Sequence, residues 1–169
     1  FCIIAIIIAL IFFLLWVYRA YSNLPSFGAD IKNSPGMAVT YFFIPIANLV
    51  MPYRVVREIW EKSIVKGNYE KYKEKVTSSI VTLWWVLVIG SGIMSRIDAR
   101  LFEKISTLED ISFSTYFSIA TTLVTIGNLV LLIIILNSLD RMQQEKHEAV
   151  MINPDLEKEE KPVFSSLTD

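Results

Sequence analysis

Very few residues in this chain have the types and spacing that chemistry requires. There is one histidine, His147, and one cysteine, Cys2, at opposite ends of 169 residues. A lone cysteine forms no intrachain disulfide, and no His/Cys spacing suits a metal. Serine-histidine-acid logic fails too, because His147 sits in a polar tail outside any recognisable pocket. Seven Lys and Arg residues fall between positions 54 and 75, interleaved with Glu58, Glu61, Glu70 and Glu74. That mixture gives no concentrated basic face, so nucleic acid is not expected as a partner. We expect no catalytic residue, no cofactor, no metal and no enzymatic activity.

What remains are polar and helix-breaking residues set in apolar surroundings. Asn48 and Asn128 are the deepest strong polar side chains. Such residues form either a polar pathway or interhelical hydrogen bonds, each worth about 0.6–2 kcal/mol; the second reading is favoured. Gly90, Gly92 and Gly127 read as close-packing points. Thr121, Thr122 and Thr125 can bond their own helix carbonyls. Pro45 deletes a backbone hydrogen bond and is expected to kink its helix. Asn48 follows three residues later and could repair that defect, while Pro52 falls near the membrane boundary.

The elements that must position these residues follow from the charge pattern. The chain is 53% hydrophobic, with a mean hydropathy of +0.47. Four stretches carry no charge: 1–18, 33–53, 76–95 and 111–139, of 18, 21, 20 and 29 residues. About 20 helical residues cover a hydrocarbon core of roughly 30 Å. The expected fold is all-α: a polytopic membrane protein with four transmembrane helices and amphipathic interfacial helices in its loops. The chain starts with Phe inside an apolar run, so upstream residues are expected. The first run resembles a signal-peptide core, but no small-residue cleavage site follows. Grouping the second loop with the tail gives eleven basic residues against five. The positive-inside rule then places that loop and both termini in the cytoplasm.

Between the runs, Ser34-Pro35 is a helix start. Val55, Val56, Ile59 and Trp60 share one helical face, suited to lie at the interface or to dock a partner, with Trp60 the best anchor. Lys66-Gly67-Asn68 reads as a turn, and Tyr69, Tyr72 and Val76 form a stripe into the third span. Ile97, Leu101, Ile105 and Leu108 mark a second amphipathic segment. Ser106 and Glu109 match a capping box for the last helix. The expected domains are a four-span unit, 1–140, and an acidic cytoplasmic tail, 141–169, mobile towards its end.

Two motifs stand out: "YRAYSNL" after the first run, with Arg19, Asn23 and Leu24, and "FFIPIANLVMPYRVVREIW". The second carries Pro45, Asn48, Leu49 and Pro52, then Glu58 and Trp60. Together they resemble the bacterial membrane-protein family catalogued as domain of unknown function 4328. That resemblance implies a multi-pass inner-membrane protein and draws attention to these motif residues; it implies no chemistry. The function expected is an accessory or scaffolding subunit of a larger inner-membrane complex. Its partners would be membrane lipids and other integral subunits, or a second copy of itself. A small oligomeric channel or transporter is the alternative, and an intramembrane enzyme the third.

Overall fold

A computed structural model describes residues 2–64, 79–103 and 107–153. The expected turn at 66–68, Ile105, Ser106 and residues 154–169 lie outside them. Among the described residues there are helices and turns and no strand. In order these are α1 (Cys2–Ser22), a 3₁₀ turn (Leu24–Phe27), α2 (Pro35–Thr40), a second 3₁₀ turn (Ala47–Leu49), α3 (Met51–Ser63), α4 (Ser79–Glu103) and α5 (Leu108–Ile152). Three stretches are long and apolar enough to cross a membrane: Ile4–Phe27, Ser79–Glu103 and Glu109–Ile152. The described residues are therefore all-helical, with three helices able to span a membrane.

The fourth expected span, 33–53, does not form one helix. Ser34 caps α2 as expected, its hydroxyl accepting from the Met37 amide at 3.2 Å with Pro35 in the first turn. Six residues later the helix stops. Pro45 has no N–H, its ring would meet the Tyr41 carbonyl, and it biases Ile44 away from helical backbone. The chain continues through tight turns, with Phe42 N–H donating to Val39 and Phe43 N–H to Thr40. Helix α3 then begins at Met51, with Pro52 in its first turn. A kinked helix was expected; a broken one is found. Its repair also differs, because the Asn48 backbone N–H bridges the proline by donating to the Ile44 carbonyl at 2.7 Å. The Asn48 side chain is exposed.

The described residues fall into two compact units, 1–78 with 138–169 and 79–137. In the first, Val17, Tyr21, Leu24 and Phe27 are buried together with Ala38, the α3 stripe, Leu139 and Met142. Gly28, at φ 76°, closes the first 3₁₀ turn by donating its N–H to Leu24 and Pro25, a left-handed conformation that glycine adopts without steric cost. Val55, Val56, Ile59 and Trp60 do share one face, but that face is 2% exposed or less. It is interior surface, so Trp60 offers a partner nothing.

In the second unit, α4 runs through Glu103, making the expected amphipathic segment from Ile97 a continuation of the third span. The capping box lies one residue beyond the expected pair. Thr107 Oγ1 accepts from the Asp110 N–H at 3.1 Å, and the Asp110 carboxylate accepts from the Thr107 N–H at 2.9 Å. Thr121, Thr122 and Thr125 each donate to the carbonyl four residues back. At 1.5 Å per residue the 45 residues of α5 extend roughly 68 Å, over twice a hydrocarbon core. The expected boundary at 140/141 falls inside this helix.

Trp60 sets the first stability prediction. Trp60→Ala should cost about 3–5 kcal/mol, seen as a large fall in melting temperature in detergent. Arg57→Ala, which removes an exposed pair with Glu61, should cost under about 0.5 kcal/mol.

Candidate functional site

The polar groups of the first unit converge on the end of α1 and on α3. Tyr21 has no exposed surface, so its hydroxyl needs a partner within the protein. It donates to Glu58 Oε2 at 2.9 Å and accepts from the Asn33 N–H at 3.3 Å. The other carboxylate oxygen, Oε1, accepts from Lys62 Nζ at 2.8 Å and from the Lys32 N–H at 3.4 Å. Lys62 also donates to the Asp30 carbonyl, and Asn33 Oδ1 accepts from the Tyr41 hydroxyl at 2.9 Å. Glu58 thus ties α3 to α1 and to the loop entering α2.

A second set of bonds reaches the far end of the sequence. Gln143, 8% exposed, accepts from the Asn23 amide at 3.1 Å and donates to the Ala20 carbonyl at 2.9 Å. Lys146, 3% exposed, donates to the Lys62 carbonyl at 2.7 Å, its ammonium 5.9 Å from the centre of the Phe27 ring. Trp16 Nε1 donates to Asp140 at 2.9 Å. Helical spacing explains the set: Leu139, Met142, Gln143 and Lys146 fall on one face of α5.

Two clefts open beside this lattice. One of about 430 Å³ is lined by Asn23, Ser26, Phe27, Asp140, Gln143 and the exposed His147. The other, of about 660 Å³, lies between the start of the 33–53 run and α3, with Lys32, Arg54, Arg57 and Lys62 among its walls. There the Glu61 carboxylate, 2.7 Å from Arg57, raises the guanidinium further above its ordinary range, mainly by hydrogen bonding. Among the described residues no group of three or more His, Cys, Asp or Glu could hold a metal. The arrangement holds α1, α3 and the loop before α2 in fixed positions relative to one another.

The residues expected from the motifs separate into groups. Asn23 and Glu58 belong to the lattice, and Pro52 and Trp60 to the buried face of α3. Arg19 is exposed in the last turn of α1, where a cation complements the helix dipole. Pro45 and Asn48 are exposed in the broken segment. Asn128 lies in the second unit, where its Oδ1 is buried without a hydrogen-bond partner. Tyr21, Asn33, Lys62, Gln143 and Lys146 were not singled out by sequence. The one signal available was the apolar-polar face of α5 beyond the last charge-free run.

These motifs carry a family assignment. Residues 1–141 match the family described as domain of unknown function DUF4328. The chain belongs to that family. No match was found among curated proteins or among solved structures. The matched span contains Tyr21, Glu58 and Lys62, whereas Gln143 and Lys146 lie just past it.

The lattice predicts strong coupling. Tyr21→Phe and Glu58→Gln should each lower stability by about 1–3 kcal/mol, and the double variant should fall well short of their sum. Additive effects in detergent melting would disprove the coupling. Asn48→Leu, at an exposed side chain, should change stability by less than about 0.5 kcal/mol.

Proposed function

We propose that this protein is a non-catalytic integral membrane subunit of the bacterial inner membrane that works by assembling with other membrane proteins. One observation carries the reading. Residues 41–50 are irregular backbone within an apolar run, and Ile46 is 85% and Phe43 64% exposed. Non-helical backbone at membrane depth is tolerated only where protein covers it or where it lines a water-filled cavity. Cover by a partner, or by a second copy of the chain, satisfies that constraint. The same observation favours a second reading, a small oligomeric channel or transporter in which the segment lines a pore.

The topology that goes with this reading has three crossings rather than four. Asn23 and Ala20 bond Gln143, and Trp16 bonds Asp140. Groups in direct contact lie on one side of the membrane, so the chain between them crosses an even number of times. Helices α4 and α5 supply two crossings, which leaves none for 33–53. That segment is re-entrant: it enters at Asn33 and leaves at Glu58, both bonded to Tyr21. Phe42 meets Phe13 edge-on at 5.7 Å. Phe13 lies eight residues before Tyr21 on α1, a depth of roughly 12 Å, less than half a hydrocarbon core. In this layout thirteen Lys and Arg residues lie on one side and three, in 96–110, on the other. The contrast is steeper than eleven against five, and it puts residues 19–75 and the C-terminal tail in the cytoplasm with the start of α1 outside.

Single cysteines in a Cys2→Ser background test the layout in intact cells. Cysteines at Ser26 and Gln144 should both be shielded from an impermeant thiol reagent, and one at Thr107 should be labelled. Labelling at Ser26 would restore the four-crossing layout.

A photo-crosslinking residue at Ile46 tests the function. In native membranes it should capture another polypeptide, whereas the same residue at Phe12, 67% exposed on α1, should meet lipid. Absence of any protein adduct at Phe43, Ile46 and Leu49 would remove the assembly reading. Ion conductance by the purified homo-oligomer in bilayers would establish the channel in its place.

A further inference from the structure

We propose that the cleft between residues 32–33 and α3 binds the headgroup of an anionic phospholipid, with Lys32 and Arg54 contacting its phosphate. The cleft has four cations and two carboxylates in its walls. Two of the cations are already matched. Lys62 pairs with Glu58 at 2.8 Å and Arg57 with Glu61 at 2.7 Å. The ammonium of Lys32 and the guanidinium of Arg54 have no carboxylate partner among the described residues, and both residues are exposed. Two unneutralised charges therefore face a volume of about 660 Å³, room for a phosphodiester and part of its glycerol.

The remaining wall selects the source of that phosphate. Val50, 47% exposed, and Met51 line the cleft. They lie near the end of the charge-free run that begins at Asn33, directly after Lys32, and finishes at Tyr53, directly before Arg54. Both flanks of one apolar segment therefore bring a cation to the same opening. A free phosphate would use only the cations, whereas a phospholipid also places its acyl chains beside Val50. Asn33 and Tyr53 add polar groups at headgroup level. General attraction of basic loops to an anionic leaflet is diffuse; this site is a defined concavity with two specific cations.

The inference goes beyond the assembly reading and stands apart from it, since the cleft lies within one unit and needs no partner. The test is titration of the full chain in maltoside detergent with dioleoyl phosphatidylglycerol or dioleoyl phosphatidylcholine, with retained lipid read by native mass spectrometry. The protein should retain the anionic lipid preferentially. That preference should fall roughly fivefold for Lys32→Gln or Arg54→Gln and about thirtyfold for the pair. The charge-keeping pair Lys32→Arg and Arg54→Lys should keep it, as should Arg100→Gln in the second unit. Equal retention of the two lipids by the wild-type chain would overturn the site. So would undiminished preference in the double Gln variant while its melting temperature is unchanged. Displacement of the anionic lipid by millimolar inorganic phosphate would show a free-anion site instead and overturn the lipid assignment. Capture at Ile46 is read separately, so its failure leaves this result standing, whereas labelling at Ser26 would place Lys32 and Arg54 on opposite sides of the membrane and overturn the site as well.

Discussion

A phenol hydroxyl taken wholly out of solvent must be bonded, and in this protein that requirement organises one end of the fold. Tyr21 sits on α1 with its ring among the apolar residues of its unit, and its one strong acceptor is Glu58 on α3. Bonds to a charged group contribute about 1.5–3 kcal/mol each, and losing one partner strands the other. Glu58 accepts from Lys62 on its own helix and from Tyr21 and Lys32 off it, so α3 cannot shift along α1 without breaking the bonds to Tyr21 and Lys32. The apolar stripe of α3 is consequently pressed inward, and the entry to the broken segment is held next to its exit. Without that clamp, a run of 21 uncharged residues would have little reason to turn back.

Sequence alone conveyed the long helices well. The described residues of runs 1–18, 76–95 and 111–139 lie in α1, α4 and α5, because in hydrocarbon a helix is the only way an isolated strand of chain can satisfy its own backbone. Run 33–53 has the same composition and a different outcome. Hydropathy cannot distinguish a proline that kinks from one that stops; that depends on whether neighbouring groups refill the missing bond. Here they do not, and the backbone resolves the problem locally with turns. The α3 stripe was legible as a stripe, but which surface it met was not. The cap of α5 was legible as a pattern, expected at Ser106 and Glu109, but the backbone forms it one residue later, at Thr107 and Asp110.

The candidate site was readable only in part, and sequence distance is the reason. Asn23, Glu58 and Trp60 could be picked out by local motifs. Their partners could not: Asn23 meets Gln143 across 120 positions and Ala20 meets it across 123. Gln143 and Lys146 look like ordinary tail residues until helix α5 is continued past the membrane and one of its faces is found buried. The second unit behaves in the opposite way. Its threonines bond four residues back along their own helix, which spacing alone foretells. A hydrogen bond in it that does cross a gap in the sequence, Ser118 donating to Asp98 at 2.5 Å, joins a residue within one charge-free run to an acid just beyond another.

The bonds between Gln143 and Ala20, Asn23 and Ser63 have a consequence for biosynthesis. Ribosomes deliver chains N-terminus first, at about 5–20 residues per second. Everything up to Ser63 therefore emerges roughly 4–16 s before Gln143 exists. During that interval the end of α1 and the end of α3 hold polar groups whose partners have not been made. Helix α5 acts as a latch that a later-made segment throws on earlier ones. A product truncated before Gln143 would carry an open latch, with Ala20, Asn23 and Ser63 lacking that partner.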